Sequence, residues 1–350
     1  MVFCEKKTIL LLLSLGLTIF GCKKPVDDTT SITIPLQNGL IVLNEGTFNF
    51  NTASVSFLGE DTSLHHIFQT QNDRILGDVA QSITFYEDKA YIVVNNSNKI
   101  EVVQANDFLH QKTVQNLVSP RYLQPISETK AYITNFYQAR IDVFDLVNDA
   151  VTHSLTFDCP PDIPDYECGF NKMASIDGRL WVSHISLPEL WVFDTENDSL
   201  LHTITLDFMV NDMLLDENNM LWVASFELEG EGGKLYQIDP ITTEILQQIP
   251  LNNLKGFYKN LSLHENQLYL SGKETIYTLN VNENPATPTL FYENETLNIY
   301  GIATTSDGTI YLTEALDFLQ QGFIFRLNPD TKVLTDTLQG GIIPSQVYER

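Results

Sequence analysis

The side chains of this chain with the reach to do chemistry are seven histidines, one run of acids and four cysteines. The histidines are His65, His66, His110, His153, His184, His202 and His264. His65, His66, His153 and His202 lie in segments that alternate like strands, and they read as packed or solvated rings. His184 follows a strand into a loop, from which an imidazole could reach a metal centre or a sugar hydroxyl. Glu227, Glu229 and Glu231 stand among Gly230, Gly232 and Gly233. Their carboxylates could hold calcium, although an acidic surface loop is the commoner use of such a stretch. Cys159 and Cys168 enclose Pro-Pro-Asp-Ile-Pro-Asp-Tyr-Glu, a spacing open to a disulfide or to two metal ligands. No histidine is near enough in sequence to complete a tetrahedral set. There is no Gly-x-Ser-x-Gly elbow, no His-Glu-x-x-His pair and no Gly-rich phosphate loop. The expectation is a protein with no catalytic residue, no resident cofactor and no metal.

The chain opens with Lys6 and Lys7 before an apolar run, Ile9 to Leu17, broken only by Ser14 and Gly16. The run is too short to span a bilayer and has the flank of a secretory signal. It ends in Ile19-Phe20-Gly21-Cys22, which resembles a bacterial lipobox. The resemblance implies cleavage before Cys22 and acylation of its sulfur, a stable membrane anchor once more than one chain is attached. Residues 1–21 are then a signal peptide and residues 22–37 a lipidated, polar tether. Lys23-Lys-Pro-Val-Asp27-Asp28 resembles the surface-export signal of Bacteroidetes lipoproteins, implying an outer-membrane protein facing outward; a periplasm-facing anchor is the alternative. Export leaves Cys159 and Cys168 in an oxidising compartment, where one disulfide is the expected state. The net charge of −25 repels phosphate backbones, and no basic stripe interrupts it. Nucleic acid is therefore a poor partner.

The remaining chain, 38–350, carries an internal repeat. A small or apolar residue, an aromatic and alternating β-formers recur at Lys89-Ala-Tyr91, Lys130-Ala-Tyr132, Arg179-Leu-Trp181, Met220-Leu-Trp222, Gln267-Leu-Tyr269 and Thr309-Ile-Tyr311. An earlier copy, Gly39-Leu-Ile41, has Ile in the aromatic place. Successive anchors lie 41 to 50 residues apart, near the period of a four-stranded propeller blade. A strand and tight turn precede each anchor, as at Ile83-Thr-Phe85 and Met173-Ala-Ser. A third strand follows and often ends in Asp or Asn (Asp145, Asp194, Asp239, Asn280, Asn328), whose side chains start turns. The first copy lacks a first strand, and Ile342 to Tyr348 looks like a first strand without mates. Joining them predicts an all-β, seven-bladed propeller whose C-terminal strand completes the first blade and removes two open edges.

The repeat, the opening Leu40-Ile-Val-Leu-Asn44-Glu-Gly46, the strand-three endings and the leader resemble the YncE-like seven-bladed propeller lipoproteins of Bacteroidetes, over residues 38–350. Within that group the chain is similar to the BtuG-like proteins. That resemblance implies capture of a small-molecule ligand, cobalamin, at the cell surface, and a TonB-dependent outer-membrane receptor as partner in nutrient uptake. A glycan- or peptide-binding module is the alternative, and a propeller lyase or lactonase a further one. Loops on a rigid scaffold concentrate binding residues. A flat, amide-fringed ligand would suit aromatics and amides in those loops. The candidates are Asn44, Phe48, Phe50, Asn95, Asn135, Phe136, Tyr137, Arg140, His184, Phe226, Tyr258 and Tyr300.

Overall fold

A computed structural model describes residues 36–226, 232–251 and 260–350. Each blade is a four-stranded antiparallel meander, and there are seven. The innermost strands are Ala80–Tyr86, Pro120–Pro125, Phe170–Ile176, Met209–Leu215, Asn260–His264, Ile299–Thr304 and Pro344–Glu349. The last of these pairs with Gly39–Asn44, with Ile41 opposite Tyr348 and Leu43 opposite Gln346. Ring closure by the C-terminal strand is thus as the half-blades at the two ends predicted. Pro344 stands at the start of that strand, where a missing donor costs least. Leu36, counted with the tether in the sequence reading, is buried, and its amide donates to Asn106 O at 3.0 Å. The packed chain therefore begins before residue 38. Cys22 lies outside the described residues.

The hydrophobic core is divided into one cluster per blade interface. Blades one and two meet through Ile41, Val55 and Phe57 against Ile83, Ile92 and Val103. Blades seven and one meet through Tyr311 and Ile324 against Leu40, Val42 and Leu58. Each strand alternates its side chains between its two faces, and in a propeller both faces are buried by neighbouring blades. This is why the second strands read as near-continuous buried runs, such as Lys89–Val94 and Leu221–Phe226. The first blade departs from the pattern. Its fourth strand is only Ser63–Leu64, and a short helix, Ile67–Asn72, follows and buries Ile67 and Phe68. His65 and His66, expected in a fourth strand, lie just beyond it, in the approach to that helix.

The aromatic anchors have a second task besides packing. Tyr91 Oη donates to Asp149 Oδ1 at 2.9 Å, and Lys89 Nζ reaches Asp149 Oδ2 at 2.8 Å. One blade on, Lys130 Nζ and the Tyr132 hydroxyl both donate to Asp198. Each acceptor sits in the turn between the third and fourth strands of the next blade, at positive φ. Asp tolerates that conformation better than most residues. Burial, reinforced by the adjacent carboxylate, holds both phenols well above the usual tyrosine range. The Asp and Asn residues that end the third strands act as read from sequence. Asp194 Oδ1 accepts the amides of Glu196 and Asn197 at 2.8 and 3.0 Å, and Asp239 Oδ1 those of Ile241 and Thr242 at the same distances.

Candidate channel-mouth site

The innermost strands line a central cavity of about 470 Å³. Six of them share one irregularity: their pairing register slips near the upper end, at Ala80/Ser82, Pro120/Leu123, Phe170/Met173, Val210/Asp212 and Ile299/Gly301, and opposite Leu43/Asn44 in the closing strand. A bulge leaves one extra residue unpaired and re-aims its side chain. The residues in these bulges are Gln81, Arg121, Tyr122, Asn171, Lys172, Asn211, Tyr300 and Ser345, and every one lines the cavity. The upper channel is thus a ring of amides, phenols and cations, built by repeating one backbone defect around the axis.

Among the described residues four charged side chains line this ring, Glu45, Arg121, Lys172 and Asp212. Lys172 Nζ lies 2.9 Å from Asp212 Oδ1 and over the Tyr122 ring at 4.8 Å. Asp212 is nearly buried and also accepts the Leu261 amide on Oδ2 at 2.9 Å. Burial works against the Lys172 ammonium, but Asp212 and Tyr122 outweigh it and hold the amine above the ordinary lysine range. The Tyr300 hydroxyl donates to the Glu45 carboxylate, 3.1 and 3.2 Å from its two oxygens. Burial and that carboxylate push the Tyr300 phenol up. Tyr348 Oη accepts the Ile83 amide at 3.1 Å and donates to Gln346, tying the closing strand to blade two; burial raises its phenol too.

A groove of about 370 Å³ adjoins the channel over blades three to five. Asn171 and Asn211 line both, and Phe136, Tyr137, Tyr166, Ile185 and Phe226 supply the groove's apolar wall. Gly169 permits this closeness: a Cβ there would fall 1.8 Å from Phe136 O. Beside it Cys168 is bonded to Cys159, with Cα atoms 5.9 Å apart, so the three-proline loop that carries Tyr166 is closed on itself.

The sequence candidates divide into two groups. Phe48, Phe50 and Tyr137 are exposed on loops at this end of the ring, and Phe136 and Tyr300 are half-buried beside the channel. Phe318, exposed, packs edge-on against Tyr300 at 5.8 Å. The others brace the scaffold. Asn44 is fully buried; its Nδ2 donates to Ser54 and Ser56 Oγ, and its Oδ1 accepts the Gly341 amide at 2.8 Å. Asn95 Nδ2 donates to Pro120 O, and Asn135 Nδ2 to Arg140 O and Asp142. Arg140 pairs with Asp142 at 2.6 Å. Phe226 does both: it is nearly buried with its amide bonded to Asn211 Oδ1, and it lines the groove. His184, only 2 % exposed, accepts the amides of Ser186 and Leu187 on Nδ1 at 3.1 Å; burial lowers its pKa to about 4. It is a neutral turn brace instead of a loop ligand. Tyr258 and the Glu227–Glu231 run lie outside the described residues. Among the described residues no three or more His, Cys, Asp or Glu gather closely enough to hold a metal.

Glu45, Gln81, Arg121, Tyr122, Lys172 and Asp212 are absent from the sequence candidates. Their signal was a polar pair within the first few residues of the first strand, as in Arg121-Tyr122, Asn171-Lys172 and Asn211-Asp212.

Fold and site together define a closed seven-bladed propeller with a polar, partly charged channel mouth. The chain belongs to the family described as a domain of unknown function (DUF5074), whose model matches residues 38–305. Among similar solved structures is a quinonprotein alcohol dehydrogenase-like protein from Bacteroides thetaiotaomicron, 13 % identical, covering 91 % of this chain and 79 % of that one, with a TM-score of 0.69. A provisionally assigned 6-phosphogluconolactonase from Bacteroides uniformis is 15 % identical over 89 % of this chain and 99 % of that one, with a TM-score of 0.68. Virginiamycin B lyase from Staphylococcus aureus is 12 % identical over 77 % and 84 %, with a TM-score of 0.58. At these identities the likeness is one of fold. No curated protein sequence matches the chain.

Proposed function

We propose that this protein is a binding module which takes a small-molecule ligand at the channel mouth, anchored through Cys22 at the outer face of the outer membrane. Cobalamin is the proposed ligand and a TonB-dependent receptor the proposed partner, both on the strength of the leader and the resemblance to surface-capture propellers. The observation that carries the binding reading is the ring of bulges, which turns amides, phenols and a guanidinium toward one cavity beside exposed aromatics. Such a surface offers apolar faces to a large planar ligand and hydrogen-bond partners to its amide fringe.

Several titratable groups do converge here, as they would in a lyase or lactonase. The directions of their shifts speak against acid–base work near neutrality. Lys172 is held protonated and Tyr300 neutral, each moved further from pH 7, whereas a general acid or base works best with a pKa near the operating pH. The test is calorimetry of cyanocobalamin against the chain from residue 22 carrying Cys22→Ser. Capture from dilute solution requires sub-micromolar affinity, about −8 kcal/mol or better. No heat at tens of micromolar protein would remove cobalamin and send the search to glycans.

A further inference from the structure

We infer that Arg121 is a receptor for an anionic group, a carboxylate or a phosphate, on the ligand that enters the channel mouth. This rests on the mouth being the binding site, as proposed above, but not on the ligand being cobalamin. The four charged side chains that line the channel among the described residues are not treated alike. Lys172 is neutralised by Asp212 at 2.9 Å, and Glu45 receives the Tyr300 hydroxyl. Arg121 is instead gripped by neutral groups. Its Nε donates to Asn171 Oδ1 at 3.1 Å and its Nη1 to Gln81 Oε1. Its guanidinium lies over the Phe136 ring at 4.8 Å, with Tyr122 at 6.0 Å. No carboxylate among the described residues pairs with it, and Nη2 has no hydrogen-bond partner among them.

The arrangement fixes the guanidinium plane and leaves it without an ion-paired carboxylate among the described residues. Amide oxygens and aromatic faces orient a guanidinium without cancelling it, and the remaining N–H groups suit the planar oxygens of a carboxylate or phosphate. Two other arginines are ion-paired, Arg74 bidentate to Glu101 and Arg140 to Asp142; Arg179 and Arg350 donate to backbone carbonyls, but neither lines the channel. In a protein of net charge −25, an oriented, unpaired guanidinium in a narrow polar cavity distinguishes the mouth from the repelling surface around it. The anionic group would sit at Nη2, with the rest of the ligand directed past Phe136 into the groove.

The chain from residue 22 with Cys22→Ser is compared with Arg121→Gln and Arg121→Lys forms. Thermal unfolding is followed while phosphate, or acetate, replaces chloride at constant ionic strength, and crystals are soaked in selenate for anomalous scattering. Expected are a selenate peak within hydrogen-bond distance of Arg121 Nη2 and a midpoint raised by phosphate or acetate, the stronger of the two naming the group. R121Q should weaken that response at least tenfold in apparent affinity, and R121K should retain part of it. No peak at Arg121, a peak without any solution response (an adventitious ion only), an undiminished response in R121Q, or equal loss in R121K and R121Q would each overturn the proposal. Cyanocobalamin titrations separate the two readings. Binding of phosphate without cyanocobalamin removes only the named ligand. Equal cyanocobalamin binding by wild type and R121Q, with no anion response, removes only the anion site.

Discussion

The two ends of the ring are built on different rules. At the lower end one device recurs: Lys89 and Tyr91 reach Asp149, and Lys130 and Tyr132 reach Asp198. The turns there are closed by Asp145, Asp194, Asp239, Asn280 and Asn328 in corresponding places. At the upper end the loops differ in length from blade to blade, one carries a disulfide, and Phe48, Phe50, Tyr137 and Phe318 stand in water. The latch recurs in two successive blades and the turn closure in five, and a repeated device answers a need that blades share, holding a neighbour or closing a turn. Features that differ between copies cannot serve that shared need, so the upper end is where a single asymmetric ligand would be read. The comparison predicts that damage below lowers stability and spares binding, and that damage above does the reverse.

The largest effect tests what both ends depend on, ring closure. Removing residues 341–350 takes away the strand paired with Gly39–Asn44. It also removes Ile343, Val347 and Tyr348 from the packing of blades one, two and seven. At roughly 1.5–3 kcal/mol for each buried apolar side chain, the loss is comparable to the net stability of a domain. The truncated protein should be insoluble or should melt far below the intact one in circular dichroism. Trimming ten residues after Cys22 should leave the midpoint unchanged. If the truncated chain melts like the intact one, closure is not what stabilises the ring.

The lower end was legible in the sequence because its rules are local and repeated. An aromatic at a fixed place, Lys two residues before it in two copies, and Asp or Asn at a strand end reveal themselves by recurrence. The upper site was not, and the reason lies in the bulges. Sequence reading began the first strands at Ile83 and Met173, where alternation is clean, whereas the strands begin at Ala80 and Phe170. The omitted residues are those whose extra backbone unit breaks the period of two, so Gln81, Arg121, Asn171 and Lys172 read as loop. The opposite error fell on Asn44, Asn135 and His184. Polar residues after an apolar strand look available, yet Asn44 binds Gly341 and the neighbouring strand, and Asn135 and His184 bind the turn or strand that follows them, an obligation that pattern alone does not display.

An intermediate effect belongs to the lower end. Asp198→Ala removes the acceptor of the fully buried Tyr132 hydroxyl and the partner of Lys130. Leaving a buried donor unsatisfied costs about 1–3 kcal/mol, so the urea midpoint should fall while ligand affinity stays within twofold. Tyr132→Phe in the Asp198→Ala background should recover part of the loss, because it deletes the stranded hydroxyl. A destabilisation that the second change does not relieve would show that the aspartate works through its turn and not through the latch.

The smallest effect on stability, and the sharpest test of the division, comes from the upper aromatics. Phe48 and Phe50 are 56 % and 68 % exposed. Exposed positions of this kind usually change stability by no more than about 0.5 kcal/mol. The double change Phe48→Ala, Phe50→Ala should therefore leave the unfolding midpoint where it is. An aromatic that covers a bound ligand gives up roughly 1–3 kcal/mol when cut to alanine if it is among the few dominant contacts, which is about fivefold to 150-fold in affinity. Calorimetry with cyanocobalamin, or with whichever ligand supersedes it, should show weakened binding at unchanged stoichiometry. Arg121→Gln and the double change should each weaken binding, and their effects should add if the anionic group and the apolar face are read at separate places. If the double variant binds as the wild type does, the aromatics of the first blade lie outside the site. The ligand would then be confined to the channel and the groove over blades three to five.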